Sequence, residues 1–126
     1  MPALLLIALA TASPVCVARV SDGDTIRLCS GERVRLLGID APERKGSERC
    51  SARSRARLKH SPNPSWCDFE MGERARAALT RLIGTGTVRI ERRGHDVYGR
   101  TLARVTVNGR DAGEWLIGKG LARPWR

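Results

Sequence analysis

The chain has 126 residues, of which 23 are Lys or Arg and 13 are Asp or Glu, so its formal net charge is +10 at pH 7. The length favours one domain with a single modest core, and a hydrophobic fraction of 41% argues against a disordered chain. So basic a balance favours a polyanionic partner, although a basic surface without a binding role is the alternative, and nucleic acid becomes the favoured partner only when the grouping of carboxylates in the sequence is added.

The first residues are apolar and uncharged. Residues 4–10 form a run that is too short to span a bilayer and resembles the hydrophobic region of a secretory signal, with residues 10–12 (Ala-Thr-Ala) as its cleavage site. The segment before this run lacks Lys and Arg, and a buried first strand is the alternative. We predict a signal peptide over residues 1–12 and a mature domain over residues 13–126. That domain would be periplasmic or secreted, without membrane contact after signal removal.

The first element of the mature domain is predicted to be a hairpin. Residues 15–21 alternate in polarity and end at Asp22-Gly23, a strong two-residue turn signal. If these two residues form the loop, Ser21 faces Asp24 across the hairpin.

This register also suggests how four cysteines pair. It places Cys16 opposite Cys29 at a non-hydrogen-bonded position, where side chains lie close enough for a disulfide. Cys50 and Cys67 would then form the second bridge by remainder. An exported protein can retain both.

A third strand is predicted over residues 33–39. It ends at residues 40–43 because Pro42 cannot donate to a strand ladder. Residues 44–67 are rich in Ser, Pro and Arg and predict an irregular loop. Between residues 44 and 59 this loop has seven basic residues and one acid, Glu48.

The second half predicts a helix, two strands and a final short helix. Apolar residues recur at helical spacing over residues 68–83, and residues 87–92 and 98–107 alternate as strands do. Asn108-Gly109 forms a turn, and Asp111 can cap the last helix. The order β-β-β-α-β-β-α predicts a β-barrel with helices (α+β), a small closed five-stranded barrel of the OB-fold type.

Acidic and basic side chains are grouped where the predicted strands end. Asp24 opens one strand and Asp40 closes another, so both can meet at one rim of a barrel. Two carboxylates and a backbone carbonyl suit Ca²⁺, although turn hydrogen bonding explains either aspartate alone. Glu43 is placed to hold a water. Arg35 and Arg100 offer planar donor forks to phosphate oxygens.

Three stretches of the chain closely resemble the staphylococcal nuclease (thermonuclease) family. They are residues 20–26 (VSDGDTI), 35–43 (RLLGIDAPE) and 98–103 (YGRTLA). Residues 120–122 (GLA) also resemble the family segment after its second helix. The resemblance implies an OB-fold nuclease that cleaves DNA and RNA with Ca²⁺ and leaves 3′-phosphate ends.

The resemblance also implies a metal site. Asp24 and Asp40 correspond to the carboxylate ligands of calcium, and Ala41 corresponds to a backbone-carbonyl ligand. The family often has Thr where this chain has Ala41, a change that a backbone ligand should tolerate.

The other matching residues would act on the substrate. By resemblance, Glu43 orients or deprotonates the attacking water. Arg35 and Arg100 bind the scissile phosphate and stabilise the transition state. Tyr98 hydrogen-bonds a substrate phosphate.

Some features depart from the family pattern. The basic loop after Glu43 has no simple counterpart in the prototype and either widens phosphate contact or restricts access. The tyrosines that flank the prototype's pocket are not evident, and Trp125 is a weak substitute. Alternatives to a monomeric nuclease are a non-catalytic OB-fold module that binds nucleic acid and a secreted, disulfide-stapled binder of other polyanions.

Overall fold

The computed structural model describes residues 12–126. The predicted signal peptide, residues 1–12, lies outside the described residues apart from Ala12. In chain order the elements are β1 (Val17–Asp22), β2 (Thr25–Leu28), β3 (Arg33–Leu36), β4 (Ile39–Asp40), a 3₁₀ turn (Glu48–Cys50), α1 (Ala52–Leu58), α2 (Phe69–Ile83), β5 (Val88–His95), β6 (Thr101–Val107), β7 (Arg110–Asp111), α3 (Ala112–Gly118) and β8 (Arg123–Pro124). No helix within the described residues combines the length and apolar character needed to cross a bilayer.

Six strands form a curled sheet: five follow the order β1-β2-β3-β6-β5, and the short β7 pairs with β6. Neighbours are antiparallel except β3 and β6, which run parallel. Just before β1, the Val15 N–H donates to the Val88 carbonyl at 2.8 Å, so the first and last strands of the sheet also meet. The predicted OB-type barrel with helices is confirmed.

The core lies between the concave face of this sheet and helices α2 and α3. Inward-facing positions alternate along β6, as expected for a sheet with one buried face. The largest fully buried aliphatic side chains come from β2, β3, β6 and the two helices: Ile26, Val34, Leu36, Leu79, Val105, Val107 and Leu116. Asp68 caps α2 and Asp111 caps α3, each accepting from the backbone N–H three residues later.

The predicted hairpin loop is wrong by one residue. Asp22 pairs with Thr25, so the loop is Gly23-Asp24. The Asp22 carboxylate accepts from the Asp24 N–H at 3.0 Å, which bends the chain after Asp22 instead of at it. Two register shifts along the hairpin then restore the predicted pairing at its far end. Cys16 and Cys29 are therefore bonded as predicted, with their Cα atoms 5.4 Å apart.

The prediction of an irregular loop over residues 44–67 is also wrong. The segment contains the 3₁₀ turn and α1, and the second disulfide, Cys50–Cys67, closes it with a Cα separation of 5.9 Å. The Ser51 hydroxyl accepts from the Ser54 N–H and caps α1. Ala, Arg and Leu are good helix formers, and they outweigh the one serine, Ser54, inside this short helix.

Candidate active site

Two aspartates and an arginine meet at one rim of the barrel. The turn between β1 and β2 places Asp24 beside β4, where its Oδ2 accepts from the Ala41 N–H at 2.9 Å. One guanidinium nitrogen of Arg35 lies 3.6 Å from Asp24 Oδ2 and 3.9 Å from Asp40 Oδ1. Both aspartates are buried. The structure thus brings together Asp24, Asp40 and Arg35.

Asp40 has a second cationic partner that the sequence did not reveal. β4 pairs with β8, and this pairing sets Asp40 opposite Arg123. Arg123 donates to Asp40 Oδ2 through Nε at 3.1 Å and Nη2 at 2.9 Å. Its guanidinium also lies 4.8 Å from the centre of the Trp66 ring. No local pattern signals a contact between residues so far apart in the chain.

Glu43 is held beside the aspartates through its backbone and its side chain. Its N–H donates to the Trp66 carbonyl at 2.8 Å, and α2 packs directly on its backbone. A Cβ at position 72 would lie 2.2 Å from the backbone carbonyl oxygen of Glu43. The close approach of α2 to the Glu43 backbone therefore requires glycine at this position. At the side chain, Ser47 Oγ donates to Oε2 at 3.2 Å and Arg49 Nε lies 3.5 Å from Oε1.

Three carboxyl groups at the rim have raised pKa values. Burial, and then the charge of Asp24, raises the pKa of Asp22 to about 8 and that of Glu43 to about 7. The same two causes raise the pKa of Asp40. Asp22 is a member of this cluster that we predicted only as a turn residue. The sequence did offer one indication that Asp22 belongs to this cluster, namely its position two residues before Asp24.

These donors fit a hard divalent cation. Carboxylate and carbonyl oxygens are the ligands that Ca²⁺ prefers, and a cation would relieve the repulsion that raises the carboxyl pKa values. Within residues 12–126 no three His, Cys, Asp or Glu side chains form a ready-made ligand group. The oxygen donors at this rim include the side chains of Asp24 and Asp40, which lie beside the same Arg35 nitrogen, and Ala41 follows Asp40 in the chain.

Arg100 and Tyr98 lie in the turn between β5 and β6. Arg100 Nε donates to Asp96 Oδ2 at 2.7 Å, and its guanidinium lies 5.5 Å from the centre of the Tyr98 ring. Tyr98 is 65% exposed. Arg33 of β3 donates to the Tyr98 carbonyl at 2.5 Å. Among the described residues Arg100 forms no ion pair with Asp24, Asp40 or Glu43. The parallel pairing of β3 with β6 nevertheless makes the strand that follows Arg100 a neighbour of the strand that carries Arg35.

The last described residues cover one side of Arg35. The Trp125 ring centre lies 4.8 Å from the Arg35 guanidinium and 5.4 Å from that of Arg49. Asn63 fixes this segment, because its side chain both donates to the carbonyl and accepts from the N–H of Arg126. Trp125 remains 43% exposed beside the site.

The raised pKa values predict how the stability of the metal-free protein depends on pH. A carboxyl whose folded pKa exceeds its unfolded value stabilises the fold below the unfolded pKa, and this contribution is lost as pH rises through the folded pKa. The ordinary values are 3.8 for Asp and 4.5 for Glu, whereas Asp22 and Glu43 reach about 8 and about 7. In EDTA, the free energy of unfolding should therefore fall by several kcal/mol between about pH 5 and about pH 8, since each unit of pKa difference corresponds to about 1.4 kcal/mol.

Urea unfolding in EDTA at the two ends of this range measures the effect. Hydrogen bonds from Arg92 and Thr101 lower the pKa of Glu32 to about 2, so Glu32 contributes only below the range. Adding calcium near pH 8 should restore the lost stability. A metal-free protein that gains stability with pH would contradict the prediction.

The fold and this rim define an OB-fold protein with an acidic, arginine-lined site. Residues 33–126 match the family described as "Staphylococcal nuclease homologue". The match covers more than half of the chain, and the chain belongs to this family.

Several curated proteins are similar to the chain. The SPbeta prophage-derived endonuclease YokF and Endonuclease YncB, both of Bacillus subtilis (strain 168), are each 34% identical over 117 residues. These alignments cover 86% of the chain but 33% and 46% of the relatives. Protein ParB of Escherichia coli is 35% identical over 95 residues, which are 73% of the chain and 41% of that protein. The chain thus spans between a third and a half of the length of these relatives.

Proposed function

We propose that the chain is a nuclease that hydrolyses phosphodiester bonds of DNA and RNA without sequence preference, requires Ca²⁺ and leaves 3′-phosphate ends. The observation that carries this proposal is the convergence of Asp24, Asp40, Arg35 and Glu43 at one barrel rim, in a member of the staphylococcal nuclease homologue family. Two relatives are named endonucleases, and the net charge of +10 suits a polyanionic substrate. The 3′-phosphate ends follow from the resemblance of the motifs.

The first chemical requirement is to neutralise the substrate. A phosphodiester is anionic and repels an attacking hydroxide, so positive charge must face the phosphate as negative charge develops on it. Arg35 offers a planar fork of donors at the rim. Calcium held by Asp24, Asp40 and the Ala41 carbonyl would supply further positive charge there and lower the pKa of a bound water.

The second requirement is a base for the water. Burial and the charge of Asp24 raise the pKa of Glu43 to about 7 in the metal-free protein, and a bound cation would lower it, so that the carboxylate is ionised and can take a proton near neutral pH. Its backbone is fixed by Trp66 and Gly72, and its side chain is oriented by Ser47. We assign Glu43 the role of orienting or deprotonating the attacking water.

Arg100 and Tyr98 complete the proposed phosphate contacts. Arg100 would leave its ion pair with Asp96 and bind the scissile phosphate instead. A phosphate, like a carboxylate, can accept two parallel N–H hydrogen bonds from a guanidinium group. The exposed ring of Tyr98 leaves its hydroxyl free to donate to a neighbouring phosphate.

We further propose that the domain is exported as a monomer to the periplasm or the medium. Its two disulfides persist in oxidising compartments and are rare in the cytosol. The apolar segment at residues 4–10 supports removal of a signal peptide by cleavage after Ala12.

Digestion of single-stranded DNA and of RNA by the purified protein tests the proposed activity. We expect cleavage of both in calcium and none in EDTA, and products whose 3′ ends are sensitive to a phosphatase. Asp40→Asn serves as a control that removes one proposed ligand. A folded sample without calcium-dependent cleavage would refute the proposal. Salt-sensitive binding without turnover would instead identify a non-catalytic OB-fold module, and tighter binding of sulfated sugars would identify a general polyanion binder.

A further inference from the structure

The segment closed by Cys50–Cys67 has a surface that is mainly positively charged. We call residues 47–67 the basic insert. It has a single acid, Glu48, against five basic residues: Arg49, Arg53, Arg55, Arg57 and Lys59. The last four of these are exposed on and just after α1. None of the four forms an ion pair within the described residues. Their charge is therefore available to a ligand.

Two adjacent cavities lie along this insert. One, of about 380 Å³, is lined by Arg55, Lys59, Pro64, Ser65 and Cys67. The other, of about 240 Å³, is lined by Pro62, Pro64, Arg123, Pro124 and Arg126. Pro64 lines both, so the two cavities adjoin at this residue, and we refer to them together as the path. Arg123, which lines the second cavity, also binds Asp40, so this end of the path is linked to the carboxylate rim through one side chain.

The path is held rigidly in place. Arg49 donates to the Asn63 carbonyl at 2.5 Å, and Ser65 Oγ donates to the Arg49 carbonyl at 2.7 Å. Asn63 in turn holds the backbone of Arg126. A disulfide and three prolines stiffen the walls further. A ligand would therefore meet positioned cations without ordering this part of the chain first.

The chemistry of the walls selects the ligand. Cationic donors alternate with prolines, and neither cavity has an acidic lining residue. Phosphates spaced along a chain of sugars match donors that are spaced along an open path. A compact small molecule would be poorly enclosed by two cavities that open to solvent.

We propose that the basic insert is a second nucleic-acid-binding surface, which holds the substrate's sugar–phosphate backbone outside the linkage that is cleaved. Arg55 and Lys59 bind phosphates at the far end of the path, and Arg123 marks its entry into the active site. This proposal rests on the proposed nuclease function and names an extended single strand as the preferred form of its substrate.

Binding in EDTA tests the surface separately from catalysis. Fluorescence anisotropy with labelled oligo(dT) in a salt series gives the dependence of log K on log salt concentration. Each phosphate contact to a single strand contributes about 0.7 to the magnitude of the slope. The double variant Arg55→Gln/Lys59→Gln should therefore reduce that magnitude by about 1.4. Each single variant should remove about half of this amount.

Arg74→Gln/Arg81→Gln is the matched control. It removes the same charge from exposed positions of α2, on the side opposite Gly72, which faces the Glu43 backbone. The control should keep the wild-type slope. An unchanged slope in the Arg55/Lys59 variant, or an equal reduction in the control, would overturn the proposal. Circular dichroism confirms that each variant is folded.

Cleavage of substrates of increasing length provides a second readout. For the wild type in calcium, kcat/KM should rise as oligo(dT) lengthens from about 4 to about 16 nucleotides, the range that a single OB fold covers. The Arg55/Lys59 variant should match the wild type on the shortest substrate and lose the gain with length. A retained gain would overturn the proposed surface while leaving the nuclease function standing. If the wild-type protein binds oligo(dT) with the expected salt dependence but cleaves no substrate, the nuclease function is refuted and the binding surface is not.

Discussion

Glu43→Gln should lower kcat by about 10²–10⁴-fold while leaving the fold intact, because general-base assistance from one side chain typically contributes this much. The amide keeps the size of the carboxylate but cannot take a proton from water. Its neighbours Ser47 and Arg49 remain in place, so substrate binding should change little. Single-turnover cleavage at saturating calcium measures the effect on the chemical step.

The same substitution should not destabilise the metal-free protein near pH 8. Burial and the charge of Asp24 make the ionised Glu43 unfavourable there, and Gln removes that charge. Urea unfolding in EDTA should therefore show Glu43→Gln to be at least as stable as the wild type. Glu70→Gln, at an exposed position of α2, is the matched control and should keep full activity. Activity of Glu43→Gln within tenfold of the wild type would rule out Glu43 as the base.

Arg35→Lys is expected to lower kcat by about 10²–10³-fold, the range found when one preorganised donor to a developing charge is removed. An ammonium keeps the positive charge but loses the planar fork that reaches two phosphate oxygens. It also loses the stacking of the guanidinium on Trp125. Kinetics at saturating calcium separate kcat from KM.

Arg27→Lys provides the comparison for this variant. Arg27 lies on β2, and its side chain donates to the Gly31 carbonyl at the opposite end of the hairpin from Asp24. The Arg27→Lys variant should therefore retain the kcat of the wild type. If Arg35→Lys raises KM and leaves kcat unchanged, Arg35 binds substrate without stabilising the transition state.

Patterns of neighbouring residues correctly predicted those features of the fold that depend on residues close in sequence. The alternation in β6 and the helical spacing in α2 identified their buried faces, because each face must meet the core. The grouping of Asp24, Arg35 and Asp40 at strand ends anticipated their meeting, since strand ends in a small barrel share a rim. The Cys16–Cys29 pairing was predicted from a hairpin loop one residue out of place, and the two register shifts explain why it still formed.

The features that escaped prediction depend on distant packing or on competing propensities. The ion pair between Asp40 and Arg123 exists because β8 returns to β4 across 83 residues, which no local spacing can show. The raised pKa of Asp22 depends on burial by the rest of the fold. Helix α1 was not predicted because residues 44–67 as a whole are rich in Ser and Pro. Within that stretch, the residues from Ala52 to Leu58 are mostly good helix formers.

The pairing of β4 with β8 has a consequence for synthesis. Asp24, Asp40 and Glu43 emerge early from a ribosome, whereas Arg123 and Trp125 emerge only when nearly the whole domain has been made. A contact of such long sequence separation forms late, because the intervening chain must first be ordered. Until then Asp40 would have only Arg35 of its two guanidinium partners among the described residues, and the complete set of contacts would form only after residues 123–125 have been made.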